Sequence, residues 1–217
     1  VHSIDLPELL TVFNAFSIAS VTFTNTAALS APMYQGAGGW MIFQDTIGLT
    51  NIAFPLLTYH NGGITFMNVD GLASINLNSL QLGSSGGVVI DGGGSSPPIS
   101  AITLPAFGSG SGSGLTLREL PNLVSLTLPV WTFTGGAFLT LDNVGLTELD
   151  TTSTGPGMRC VAPSRLTVEN CPDLTSITMH ACAGLDTCLV QNNPVLTTID
   201  LPEVTHITTM TVANNPM

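Results

Sequence analysis

Apolar and polar residues alternate in short segments along the whole chain, and the same two segments return about every 23 residues. The first segment has apolar side chains at alternate positions ahead of a proline, as in Ile199-Asp200-Leu201-Pro202. The second follows a glycine pair and reads apolar-Thr-apolar, as in Ile64-Thr65-Phe66. Alternation with a period of two is typical of a strand that buries one face. The pattern therefore predicts an all-β chain with two short strands in each repeat.

The leading apolar residue of each repeat sets the length of one turn of the chain, which we call a coil. Its spacing varies from 20 to 28 residues, and it falls at Leu29, Leu49, Leu72, Ile99, Leu123, Leu146, Leu174 and Leu196. Strands of three residues are not stable alone, but stacking them about 4.8 Å apart buries each coil on the next. We predict a right-handed parallel β-solenoid of about nine coils, forming one continuous domain over residues 1–217.

Two coils depart from the pattern. Coil 2, from Leu29 to Gln44, lacks the apolar-x-apolar phrase of the first segment. Coil 7 is enlarged by residues 151–164, which we predict to form a large loop. These are the places where a bulge or a special surface is expected.

Alignment of the second segments predicts two columns of polar side chains along the rod. Stacked amides form hydrogen bonds from coil to coil, and Asn recurs two positions after the buried pair at Asn25, Asn68, Asn143, Asn170, Asn192 and Asn214. Threonine suits a half-exposed strand position, and it stands between the two buried residues at Thr22, Thr65, Thr116, Thr140, Thr167 and Thr211.

The phrases L-T-x-I-x-L-P and G-G-x-T-x-x-N together resemble the leucine-rich repeat. The two-strand-per-turn form of receptor L domains and BspA-like surface proteins is the most similar, and the resemblance covers essentially the whole chain. It implies an extracellular or cell-surface location and a role in binding or adhesion. It brings no catalytic motif with it.

The composition narrows the range of partners. Only 8% of residues are charged, there is no lysine, and the net charge is −11. Scattered acidic residues repel phosphate backbones, so no nucleic-acid partner is expected. No apolar run reaches the 18 or more residues of a membrane span, so no membrane insertion is expected either. The surface of Thr, Ser, Asn and Gly is typical of an exported protein.

The four cysteines lie in the last third of the chain. Cys160 and Cys182 each precede an equivalent repeat position, Leu166 and Cys188, by six residues, which predicts a disulfide between adjacent coils. Such a bridge closes a loop of about 22 residues and contributes roughly 3 kcal/mol in the chain-entropy model. Cys188 is predicted to be an inward-facing free thiol, and Cys171 has no assigned partner.

The candidate catalytic residues are dispersed. The histidines, His2, His60, His180 and His206, lie in different coils, and no nucleophile stands at motif spacing from a base. The glycine-rich stretches contain no Gly-Lys-Ser/Thr sequence, so they do not predict a phosphate site. We therefore predict no enzymatic activity and no cofactor, metal or nucleotide.

Neither end of the chain has the polar character of a terminal cap. The closing Asn-Asn-Pro-Met followed by the opening Val-His-Ser-Ile-Asp-Leu-Pro aligns without a gap on residues 192–202. We therefore predict ends that fit each other, with contacts through Ile4, Leu6, Met210 and Val212. Either the chain is a segment of a longer repeat protein, or separate copies stack head to tail.

The resulting hypothesis is a structural subunit of an extracellular filament or fibrous surface coat, with other copies of the chain as partners. One alternative is a receptor-like or adhesin module that recognises a protein or glycan through exposed aromatic residues such as Trp40, Trp131 or Tyr59. A second is ice binding by the threonine column. Neighbouring charges and unequal coil lengths disfavour that second alternative.

Overall fold

The computed structural model describes most of the chain: residues 3–6, 8–9, 11–12, 15–37, 39–57, 59–60, 62–77, 79–82, 86–104, 107–108, 114–127, 131–133, 136, 138–150, 159–160, 164–179, 184–202 and 204–216. These residues form strands and turns without a helix, and the paired strands stack in parallel. The predicted all-β parallel solenoid is therefore confirmed.

Each turn of the chain carries strands on up to three faces, one more than the sequence predicted. The first face, ahead of the proline turns, consists of β1 (Ser3–Asp5), the end of β4 (Thr22–Ser30), the end of β6 (Met41–Ala53), β9 (Ser74–Asn76), β12 (Ala101–Thr103), β15 (Ser125–Thr127), β18 (Glu148–Asp150), β21 (Ser176–Thr178) and β23 (Thr198–Asp200). The middle face consists of β2 (Thr11–Val12), β5 (Gly36–Ala37), β7 (Tyr59–His60), β10 (Gln81–Leu82), β13 (Phe107–Gly108), β16 (Trp131–Phe133) and β19 (Arg159–Cys160).

The third face carries the outward threonines, and we call it the threonine face. It consists of β3 (Phe16–Ala19), the start of β6, β8 (Ile64–Asp70), β11 (Val88–Asp91), β14 (Gly114–Leu120), β17 (Phe138–Val144), β20 (Ser164–Glu169), β22 (Gly184–Gln191) and β24 (His206–Ala213). Within the described residues, strands on all three faces are found only from β1 to β20. Among these residues the number of complete turns is therefore smaller than the nine coils predicted.

The strand register at the start of the solenoid corrects the sequence alignment. Phe16 pairs with Met41 and Ile18 with Phe43, whereas Thr22 pairs with Ile47. The second segment of coil 1 is therefore residues 16–18 rather than 21–23. Both segments alternate apolar and polar residues, so the period alone does not distinguish them. Irregular register in β4 accommodates the extra residues between them.

The same strand register shows which residues form the first segment of coil 2, which the sequence alignment had missed. Leu29 pairs with Ile4 on one side and with Ile52 on the other. It is therefore the buried residue of a first-face strand, not the leading residue of its coil. The leading position belongs to Ala27, which pairs with Leu49.

The core is a set of inward columns that run the length of the solenoid. Aromatic rings fill it in the early turns, where Phe43 stacks on Phe66 with centroids 5.0 Å apart and planes 5° apart. Tyr34 and Phe54 pack in an edge arrangement, with ring centroids 5.6 Å apart. Aliphatic residues fill the later turns. Each fully buried side chain of this size contributes roughly 1.5–3 kcal/mol, so stability is spread along the rod.

Among the described residues, two buried hydroxyl groups in the early turns have no hydrogen-bond partner, Tyr34 Oη and Thr46 Oγ1. Burial raises the pKa of Tyr34 to about 12, so this phenol stays neutral. An unsatisfied buried polar group costs about 1–3 kcal/mol. These hydroxyls therefore reduce the stability of the first turns.

Replacing Thr46 by valine is expected to raise the free energy of unfolding by about 1 kcal/mol, because the shape is kept and the unpaired hydroxyl is removed. The measurement is urea unfolding followed by circular dichroism. Thr65→Val is the matched control: Thr65 is half-buried in the next turn, and its change should lie near zero. A Thr46 variant less stable than the parent would show that the hydroxyl is satisfied after all.

Candidate functional site

One residue in nearly every turn adopts a left-handed backbone at the corner after the threonine face. The φ values lie between 49° and 57° at Ser20, Asp45, Asn68, Glu119, Asn143, Asn170, Asn192 and Asn214. Asn and Asp enter this region more readily than most other residues. The asparagine column is therefore favoured first by backbone geometry, a cause that the repeat pattern alone did not reveal.

The amides of this column also form hydrogen bonds between coils. Asn214 donates to Asn192 at 2.9 Å, and Asn192 donates to Asn170 at 3.3 Å. Further along, carboxylates accept instead, in the bonds Asn170 to Asp142, Asn143 to Glu119 and Asn68 to Asp45. The ladder of amides is thus continuous over the last turns and mixed with acids elsewhere.

Asn25 does not lie in this column. Ser20 holds the left-handed position of coil 1, and Asn25 lies in the irregular part of β4. The reason is the shifted register of the first turns, which moves the predicted alignment by several residues. The side chain of Asn25 lies outside the described part of the structure.

A second ladder, one residue further along the chain, was not predicted. Asn193 is fully buried; its Oδ1 accepts the backbone N–H of Cys171 at 3.0 Å, and its Nδ2 donates to the Val168 carbonyl at 3.2 Å. Asn215 repeats this arrangement, accepting from the Asn193 backbone N–H and donating to the Val190 carbonyl. The only sequence signal was the doubled asparagine before each proline, at residues 192–194 and 214–216.

The central column of the threonine face is less regular than predicted. Ser17, not Thr22, holds its first position, because Ser17 pairs with Ile42. The rest of the column stands in register and mixes threonines with apolar residues, in the order Ile42, Thr65, Val89, Thr116, Thr140, Thr167, Leu189 and Thr211. The face is therefore a mixed surface of hydroxyl and aliphatic groups.

Two aromatic rings lie over glycines on this face. The six-membered ring of Trp40 covers Gly63, and the ring of Phe138 covers Gly114, so neither glycine has room for a Cβ atom. Trp40 is nevertheless 54% exposed. The side chains of Trp131 and Tyr59, the other two predicted contact residues, lie outside the described part of the structure.

The last turn exposes side chains that are buried elsewhere in the solenoid. Met210 and Val212 pair with Cys188 and Val190. Met210 is 49% exposed and Val212 37%, whereas both partners are fully buried. At the other end, Ile4 and Leu6 are partly buried against the core. The four predicted contact residues thus lie at the two ends of the described structure.

The predicted Cys160–Cys182 disulfide falls outside the described part of the structure. Cys182 and the side chain of Cys160 lie outside the described part, as does most of the predicted loop at residues 151–164, of which Arg159–Cys160 form β19 and Ser164 begins β20. Cys171 and Cys188 are buried free thiols. Burial raises the pKa of Cys171 to about 11 and also raises that of Cys188, so both thiols stay protonated at neutral pH.

Within the described residues, no three His, Cys, Asp or Glu side chains are grouped so that they could hold a metal ion. The same residues include no helix with the length and hydrophobicity needed to cross a membrane. No family model, curated protein sequence or solved structure matches the chain. The resemblance to leucine-rich repeats therefore stays a prediction that depends on the repeat phrases.

Proposed function

We propose that the chain is a structural subunit of an extracellular filament or fibrous surface coat, in which copies stack end to end. The observation that carries the proposal is the exposure of inward-facing residues in the last turn. Met210 is about half exposed where its counterpart one turn earlier, Cys188, is fully buried. A further turn stacked on β24 would bury this apolar surface.

The strand edges at the two ends support a second copy as the occupant. Among the described strands, β23 and β24 pair only with the preceding turn, and β1 and β3 only with the following one. Placing β1 of a second copy beyond β23, and its β3 beyond β24, continues both ladders in the parallel sense found throughout. The contact is heterologous, so it leads to an open fibre rather than a closed dimer.

The energetics of this contact are favourable. An apolar cross-section of several hundred Å² contributes on the order of 10 kcal/mol at about 25 cal/mol per Å². Association costs an estimated 4–15 kcal/mol, so the new ladder hydrogen bonds are needed to make assembly strong. When β1 of one copy pairs with β23 of the other, Asp5 lies beside Asp200. Inside the solenoid Asp142 likewise pairs with Glu169, so the fold accepts such neighbours.

Electron microscopy of the purified chain tests the proposal directly. We expect filaments with an axial repeat of about 40 Å, since nine stacked strands of the threonine face, about 4.8 Å apart, set the subunit length. Salt should favour assembly because it screens the repulsion between acidic residues such as Asp5 and Asp200. Monodisperse particles at every protein and salt concentration would contradict the proposal.

The adhesin alternative places its partner on a side face instead, and the exposed ring of Trp40 is the observation that favours it. Ice binding receives less support. Ile42, Val89 and Leu189 interrupt the threonine column, and Arg118 and Asp142 stand beside it. A regular uncharged array is therefore absent from the described part of this face.

A further inference from the structure

A hollow of about 200 Å³ lies on the side of the rod, where β17, β20 and β22 begin. Its described lining residues are Gly136, Phe138, Arg165 and Asp186. Pockets for drug-sized ligands measure roughly 300–1,000 Å³. This hollow is therefore suited to one small chemical unit or to one unit of a longer chain.

A strand irregularity places the acid in the hollow. Ser164 pairs with Leu185, but the next residue, Arg165, pairs with Thr187. Asp186 is thus the extra residue of a β-bulge. Bulges redirect a side chain and are over-represented beside active sites. The carboxylate of Asp186 is exposed to solvent at this point.

The cation in the hollow is Arg165. The chain has only two other lysine or arginine side chains, Arg118 and Arg159. Among the described residues, the side chains of Arg165 and Asp186 form no ion pair or hydrogen bond, with each other or with a third group. Two opposite charges therefore line one space without neutralising each other. A ligand that both donates and accepts hydrogen bonds would satisfy both groups.

The ring of Phe138, which lines the hollow, packs directly over a glycine. A Cβ atom added to Gly114 would lie 2.6 Å from each of three ring carbons of Phe138, Cδ1, Cδ2 and Cε2. Equal distances to these atoms place the ring face-on over the glycine backbone. Phe138 pairs with Arg165 in the strand register, so the ring and the guanidinium group are neighbours on one face.

We propose that this hollow binds one neutral sugar unit. The C–H face of the sugar ring packs on Phe138, its hydroxyl groups donate to the Asp186 carboxylate, and its oxygens accept from the Arg165 guanidinium. The net charge of −11, together with Asp186 itself, disfavours an anionic ligand. The site lies on the side of the rod and does not depend on end-to-end assembly.

Saturation-transfer NMR on the whole chain tests this assignment with D-glucose, D-galactose, D-mannose and N-acetyl-D-glucosamine as probes. At least one neutral sugar should bind. Its dissociation constant should rise about tenfold or more in Asp186→Asn and in Arg165→Gln, because each loses charge-assisted hydrogen bonds. Phe138→Leu should weaken binding as well, since it keeps apolar cover on Gly114 but removes the ring face.

Two exposed residues supply matched controls that remove the same charges elsewhere, Asp173→Asn and Arg118→Gln, and both should bind as the parent does. Circular dichroism establishes that all variants are folded. The proposal is overturned if none of the four sugars binds. It is also overturned if binding is unchanged in both Asp186→Asn and Arg165→Gln, or if D-glucuronate binds more tightly than every neutral probe.

Discussion

Replacement of Asn193 by alanine is expected to lower the free energy of unfolding by about 3 kcal/mol, because it leaves buried backbone groups without partners. The amide of Asn193 satisfies the Cys171 N–H and the Val168 carbonyl of the preceding coil. It also donates to Oδ1 of Asn215 in the following one, at 3.1 Å. Loss of all three hydrogen bonds weakens the contact between adjacent coils, and such contacts provide the stability of a repeat protein.

Urea unfolding measures the total effect of this substitution, and hydrogen exchange locates it. Faster exchange should concentrate in the last three turns, because each turn of a solenoid interacts mainly with its neighbours. Asn192→Gly is the matched control: its φ of 57° suits glycine, and only exposed amide bonds are lost, so the cost should stay below about 1 kcal/mol. Equal destabilisation of the two variants would contradict the role assigned to the inner ladder.

The two asparagines of this pair show how far a repeat pattern determines structure. The recurrence of asparagine at one repeat position predicted that Asn192 stacks with equivalent asparagines. The structure adds the left-handed backbone that favours asparagine there. The pattern did not distinguish it from Asn193, which is buried and binds backbone groups. Both positions read as polar, so the difference depends on which side of the corner faces the core.

The fold class followed from period-two alternation, which is strong on two of the three faces. The middle face was missed because most of its described strands contain only two residues, too few for an alternation to be visible. The error in the first coils has another cause. Residues 16–18 and 21–23 carry the same local pattern, and only pairing with Met41 and Phe43 in the next turn distinguishes them.

The proposed sugar site was not predictable from a local motif. Phe138, Arg165 and Asp186 come from three successive turns, and each is an unremarkable surface residue in sequence. The bulge at Asp186 leaves one weak signal in the sequence. Leu185 and Cys188 are three residues apart, whereas their partners Ser164 and Leu166 in the preceding turn are two apart. Such a site becomes visible only when the turns are stacked in register.

Substituting Met210 by aspartate is expected to abolish end-to-end assembly. Burial of an unpaired carboxylate in the core that continues across the junction costs several kcal/mol, comparable to the net free energy available for association. The isolated chain should remain folded, because Met210 is already about half exposed in the last turn. Sedimentation velocity and electron microscopy should show single particles where the parent chain shows filaments.

The neighbouring residue provides a strict control for this experiment. Thr211 lies in the same strand with its side chain on the outward column and is also exposed, so Thr211→Asp adds the same charge at the same end without entering the core. It should still form filaments. Ile4→Asp alters the opposite end and should block assembly as Met210→Asp does, because each end supplies half of one contact. Filaments that persist in both Ile4→Asp and Met210→Asp would show that the ends are not the interface, and the side-face adhesin would then be the better account.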